Sequence, residues 1–309
     1  MSTIKFFLFG KFRIGSDGRL IQKIEPRKAE ELLVYLLLHR DQPQSREHLA
    51  DVLWGEVSPE QSKAYLRKSL WQLQALLEPC CGQGFLLVDG EWLQVKPQFD
   101  FWLDIEVLEK VFRNTQGIPG KDLDEAQARS LQEGVDTYRG DLLDGWYQDW
   151  CLYERERLQY LYLAMLDKLM DHCESHEEYE KGLLFGKRIL HYDRARERTH
   201  RRLMRLYYMA GDRTAALRQY QKCVTALKEE LDVDPAERTR LLFEMLREDT
   251  LETPSQPNHM RNNKSSETEE PLNILFSHLS ILHKSLSQIQ TQIAQDIEII
   301  QKTIKRNQY

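Results

Sequence analysis

Apolar residues in this chain recur at spacings of three and four, and two short stretches break that rhythm. Residues 4–24, IKFFLFGKFRIGSDGRLIQKI, alternate instead around a Ser16-Asp17-Gly18 turn, which predicts short antiparallel strands. Beyond Pro26, the residues Ala29, Leu32, Leu33, Leu36 and Leu37 make one face of a helix over Lys28 to His39, ended by Arg40-Asp41-Gln42-Pro43. Ser45 reads as the cap of a second helix that turns Leu49, Val52 and Leu53 inward. A third helix, from about Glu60 to Leu77, buries Leu66, Leu70, Leu73 and Leu77, spaced four, three and four. Its other side carries Gln61, Ala64, Lys68, Trp71 and Gln72, with Arg67 on the flank. The second break, FLLVDGEWLQV, predicts two strands around Asp89-Gly90, a pair favoured at the centre of a tight hairpin turn.

Farther along, Leu203, Leu206, Tyr207 and Ala210 stop at Gly211-Asp212. The stripe restarts at Ala215, Ala216, Tyr220, Cys223, Val224 and Leu227, which makes a helical hairpin. A shift of 34 residues lays Leu203 on Leu169, Ala216 on Gly182, Leu217 on Leu183 and Val224 on Leu190, the tetratricopeptide (TPR) period. Residues 252–271 are polar with three prolines and predict a flexible linker. After it, Leu272, Leu275, Leu279, Leu282, Leu286, Ile289 and Ile293 keep a heptad stripe, and Ile297, Ile300 and Ile304 continue it past a stutter. A lone helix of this length is marginal in water, so a partner helix is implied.

Strands, three helices and a closing hairpin are the order of a winged helix–turn–helix. The expected fold is mainly α. It has a winged helix–turn–helix over 1–98 (α+β, short antiparallel strands and a wing hairpin), then a TPR-like all-α domain over 99–251. The linker at 252–271 and a coiled-coil helix over 272–306 follow.

Charge narrows the functional options. The net charge is −6, with 13 Lys/Arg against 13 Asp/Glu in residues 1–100 and 24 against 30 in residues 101–250. No segment is strongly basic, so contact with nucleic acid has to rest on a local patch. The longest apolar run, Leu32 to Leu38, is too short to span a bilayer, and no signal peptide precedes the first strand. Five irregularly spaced cysteines make no disulfide framework, and these features together predict a cytoplasmic protein without a membrane partner. His172-Cys173-x-x-His176 lacks a second ligand pair at zinc spacing, so no metal is expected. Gly117-Ile-Pro-Gly120-Lys121 is too short for a phosphate loop, and no nucleophile motif or paired carboxylate sits in an apolar setting. The reading is a binding protein without a cofactor, not an enzyme.

Several motifs in one order carry a family resemblance. Tyr138-Arg-Gly-Asp-Leu-Leu143, Trp150, Glu156-Arg157-Leu158, Ala210-Gly-Asp-Arg, Ala216-Leu-Arg-Gln-Tyr220 and Leu227 to Pro235 resemble the bacterial transcriptional activator domain of SARP-type regulators. Pro26-Arg-Lys-Ala29, Ser45 to Ala50, Leu53-Trp54 and Tyr65-Leu-Arg67 resemble that family's DNA-binding half, and Phe99 to Asp104 its junction. Tyr192-Asp193-Arg194 departs from the family's usual Asp-Pro, which should loosen a turn.

The resemblance implies double-stranded DNA as one partner and a protein, such as RNA polymerase, as another. In the winged-helix reading, Lys63, Arg67 and Lys68 meet phosphates or guanine edges and Gln72 pairs with adenine. Trp71 touches a sugar or base, or packs on the wing. Arg46, and Arg27 with Lys28, sit near helix N-termini as phosphate contacts. Gln72 and Gln74 stand where response-regulator relatives place arginines, and Asp89 and Glu91 put negative charge on the wing, so a single domain should bind weakly. Pairing of chains through Leu275, Leu279, Leu282, Leu286, Ile289, Ile293, Ile297 and Ile300 would compensate. The alternative is an interaction scaffold whose winged helix binds protein.

Overall fold

The computed structural model describes residues 3–16, 19–21, 25–81 and 84–251. Met1–Glu252 form one compact unit, and the expected linker and coiled coil lie outside the described residues. The fold is mainly helical.

β1 (Ile4–Phe7), β2 (Arg13–Ser16) and β3 (Arg19–Ile21) are antiparallel neighbours. α1 (Arg27–Leu38), the two-residue β4 (Gln44–Ser45), α2 (Arg46–Trp54) and α3 (Pro59–Cys81) follow. The Ser45 hydroxyl accepts the His48 amide at 3.1 Å, as expected of a cap. α3 runs one turn beyond the predicted Leu77 and carries Pro79 in that turn. β5 (Leu86–Val88) and β6 (Trp92–Val95) complete a three-stranded sheet in the order β4-β6-β5. The tight connection centres on Gly90-Glu91, one residue later than predicted, with Asp89 and Trp92 bonded across it. Burial sets this register, because pairing Val88 with Leu93 sends Leu93 and Val95 into the core.

β7 (Phe101–Leu103) then returns parallel to β1, closing the order β3-β2-β1-β7. At its end, the buried Asp104 carboxylate accepts the amides of Leu8, Phe9 and Ile105 at 2.8, 2.9 and 2.8 Å. Burial pushes its carboxyl up to about 6, and the three donors pull against that shift. α4 (Asp104–Asn114), α5 (Glu125–Thr137) and α6 (Asp149–Ser175) lead into helices folded as hairpins. These are α7 (Tyr179–Tyr192), α8 (Glu197–Met209), α9 (Arg213–Leu231) and α10 (Glu237–Glu248).

The hairpin predicted over 203–227 is α8 and α9. Gly211 takes the turn at a φ of 82°, and Asp212 caps the Ala215 amide at 2.8 Å. At the turn lacking proline, His200 holds the Arg194 carbonyl at 2.8 Å and Arg196 binds Asp167 at 2.8 Å. Polar bonds therefore pin this corner.

One finding departs from the periodicity. The spacing of α1 describes a one-sided helix, yet Ala29 through Leu38 are all buried. Its second face is covered from the helical half, where Trp150 meets Tyr35 edge-on at 5.4 Å and Gln148 bonds Glu31 at 2.9 Å. The Tyr138 to Leu143 motif explains itself in the same seam. Gly10 and residues 141–144 exchange backbone bonds, and Leu143 donates to Leu8. Arg155 locks that strap by donating to the carbonyls of Leu142, Leu143 and Trp146 at 2.9, 3.0 and 2.9 Å.

Candidate nucleic-acid interface

α3 has two sides. Leu66, Leu70, Leu73 and Leu77 are buried as the four-three-four spacing predicts, together with Ser62 and Ser69. The opposite side exposes Gln61, Ala64, Tyr65, Arg67, Lys68 and Trp71, the last with 70% of its surface open. Among the described residues, neither Arg67 nor Lys68 takes part in an ion pair.

α2 is tied to the β5–β6 hairpin because the Arg46 amide bonds the Glu91 carbonyl at 2.9 Å. This leaves a groove of about 740 Å³ between the α2 N-terminus, the first turns of α3 and the hairpin tip. Arg46, Lys63 and Arg67 line it, and so do Glu47, Glu60 and Glu91. Lys63 is bound to Glu47 at 2.7 Å, which holds the Glu47 carboxyl below its usual range and raises the lysine. The groove is thus close to neutral, and the positive charge without an ion-pair partner among the described residues lies on Arg46, Arg67 and, along the helix, Lys68.

The other expected contacts sit elsewhere. Trp71 borders a second cleft, of about 430 Å³, with Gln74, Phe85 and Leu86, and Gln72 is half-buried on the flank. Arg27 and Lys28 face the seam instead of α3. Lys28 donates to the Leu53 carbonyl at 2.8 Å and pairs with Glu31 at 2.8 Å. Arg27 pairs with the same Glu31 at 3.3 Å and lies 5.5 Å from the Trp146 ring. Glu31, only 3% exposed, is the residue that sequence reasoning misses. A carboxylate inside an apolar run is the signal that points to it.

Other sequence candidates carry less. The His172 and His176 rings lie 4.1 Å apart, tilted by 33°, but no three His, Cys, Asp or Glu side chains among the described residues converge on a metal position. No helix among them is long and apolar enough to cross a membrane.

Comparisons with known proteins agree with this architecture. The bacterial transcriptional activator domain model matches residues 103–247. Regulatory protein AfsR of Streptomyces coelicolor is 26% identical over 239 residues, covering 75% of this chain and 23% of that protein. AfsR of Streptomyces griseus matches with the same identity and coverage. The chain therefore spans less than a quarter of the length of these curated relatives. Mycobacterium tuberculosis EmbR, solved in complex with a low-affinity phosphopeptide, shares the fold with a TM-score of 0.60 and 19% identity. That match covers 83% of this chain and 67% of EmbR. Residues 103–247 thus match a bacterial transcriptional activator domain, and the chain is similar in sequence to SARP-type bacterial transcriptional regulators.

Proposed function

We propose that this regulator is a cytoplasmic activator that binds promoter DNA through a winged helix–turn–helix in residues 1–98. α3 is the reading helix, α2 braces it on the backbone, and the β5–β6 hairpin is the wing. The observation that carries the reading is the two-sided build of α3. Its leucine row is sealed, and its other row presents Arg67 and Lys68 without ion-pair partners among the described residues. At 23 residues the helix is about 35 Å long, enough for its outward row to lie along a major groove. The TPR-like hairpins of the 99–251 half would contact a protein such as RNA polymerase, and the 272–306 segment would pair chains as a coiled coil.

The test is the double change Arg67→Ala with Lys68→Ala, titrated by fluorescence anisotropy on the regulator's own promoter. Removing a base contact should weaken binding by about 1–3 kcal/mol, and the salt slope should flatten. A variant that binds like wild type removes α3 as the reader.

A second reading has its own observation. Glu47, Glu60 and Glu91 share the groove with the three cations, which suits a protein surface better than phosphate. Under it, the chain is an interaction scaffold, and its binding to DNA would be salt-labile at every sequence tested.

A further inference from the structure

We infer that the groove between α7 and α9 docks an acidic peptide segment of a protein partner. This deepens the proposed protein contact of the helical hairpins and rests on it. α8 forms the floor, and the groove holds about 640 Å³.

The lining has a consistent chemistry. Lys187, Arg194 and Lys222 supply positive charge, and among the described residues no aspartate or glutamate lines the space. This is set against residues 101–250, whose balance is 24 Lys/Arg to 30 Asp/Glu. A cationic groove on an acidic body is a local feature, and it selects for an anionic occupant. Lys187 and Lys222 are exposed and form no ion pair among the described residues. Lys187 instead stands 5.7 Å from the Tyr207 ring at the groove floor.

Leu190, Leu203, Tyr207 and Ala226 add apolar surface beneath these charges. The floor is rigid, because buried His200 is bonded to Gln219 at 2.8 Å and to the Arg194 carbonyl at 2.8 Å. A preorganised site of this kind binds without first ordering itself. Arg194 is paired with Glu229 at 3.0 Å and Glu230 at 3.7 Å, so the free positive charge of the groove lies on Lys187 and Lys222. Two free lysines are few for a phosphate backbone, which needs a longer run of cations, whereas a short peptide needs only one or two charge contacts. A short peptide combining carboxylates with an apolar side chain fits both the charges and the floor.

The experiment uses the full chain and a fluorescein-labelled peptide of repeated Glu-Glu-Leu, with a Lys-Lys-Leu peptide and a single-stranded oligonucleotide of matched charge as comparators. Anisotropy should show saturable binding of the acidic peptide and none of the basic one. Lys187→Glu with Lys222→Glu turns two attractions into repulsions at exposed positions and should weaken binding about tenfold. Arg205→Glu, an exposed change outside the lining, should leave it within about twofold. Unchanged affinity in the double variant, absence of acidic-peptide binding by a folded wild type, or a loss of oligonucleotide binding in the double variant as large as that of the peptide would each overturn the inference. Crosslinking in cell extract separates it from the reading beneath. Partner crosslinks on α6–α10 with an indifferent groove sink this docking site alone, whereas their absence from those helices sinks both.

Discussion

Two glycines on α7 face the same neighbour, α8, at different clearances, and the difference fixes the sign of a mutation. Replacing glycine with alanine inside a helix gains about 1 kcal/mol from propensity. At Gly182, the added Cβ would lie 3.1 Å from the Leu206 Cδ1 and 3.4 Å from the Cys173 Cβ, a crowding that a few tenths of an ångström relieves. The propensity gain should survive there, making Gly182→Ala neutral or more stable by up to about 1 kcal/mol. At Gly186, the Cβ would fall 2.5 Å from the Leu203 Cδ2, 2.9 Å from its Cγ and 3.1 Å from the Met170 Cε. Leu203 and Met170 are both buried, so neither has open space to retreat into. Overpacking of this kind costs about 1–3 kcal/mol and outweighs the gain, so Gly186→Ala should be less stable by about 1–2 kcal/mol. Urea unfolding followed by circular dichroism, with the slope checked for constancy, reads the difference between the two variants. Equal stabilities, or a more stable Gly186→Ala, would show that α7 and α8 are not packed as described.

Other consequences follow from the seam and the tail. Arg155→Met keeps the apolar stem but removes three bonds to carbonyls, and should cost about 2–4 kcal/mol in the same urea assay, with Arg155→Lys recovering part. Burial lowers the His200 pKa from its usual 6.5, so the folded state binds fewer protons than the unfolded one as pH falls through 6.5. Its share of stability is present above that value and lost below it. His200→Gln should therefore flatten the drop in urea midpoint between neutral and mildly acidic pH. Asp104, raised to about 6, acts in the opposite sense and is common to both proteins, so it cancels in the comparison. Deleting residues 252–309 should convert a multimer to monomers by light scattering, with weaker binding to paired DNA sites and unchanged binding to a single site. A full-length monomer would contradict that expectation.

What is legible in the sequence is local. The leucine row of α3, the Ser45 cap and the break at Gly211-Asp212 each depend on residues within a turn or two of one another, and each stands where the pattern puts it. What escapes depends on distant partners. α1 looks one-sided because its second cover comes from Gln148 and Trp150, more than 100 residues away. Arg27 and Lys28 resemble free cations because Glu31 has the same local signature whether it is solvated or buried. The strap over 141–144 carries no strand pattern of its own and is held by β1's extension and by Arg155. The hairpin turn slips by one residue because the burial of Leu93 and Val95 outranks the preference of Asp89-Gly90. At the candidate interface, the outward row of α3 is legible. The pairing of Lys63 with Glu47 is not, since it joins two helices.

If residues 1–98 read DNA through α3, the salt dependence of binding has to reflect the cations that α3 and its neighbours present. Arg46, Arg67 and Lys68 with a partly neutralised Lys63 offer about three phosphate contacts per domain, so the logarithm of the binding constant should fall with the logarithm of salt at a slope of about −3. The full chain, titrated on its own promoter and on unrelated duplex of equal length, should show that slope per bound domain and a preference for the promoter. A slope near zero, or equal affinity for both duplexes at every salt concentration, would contradict the account.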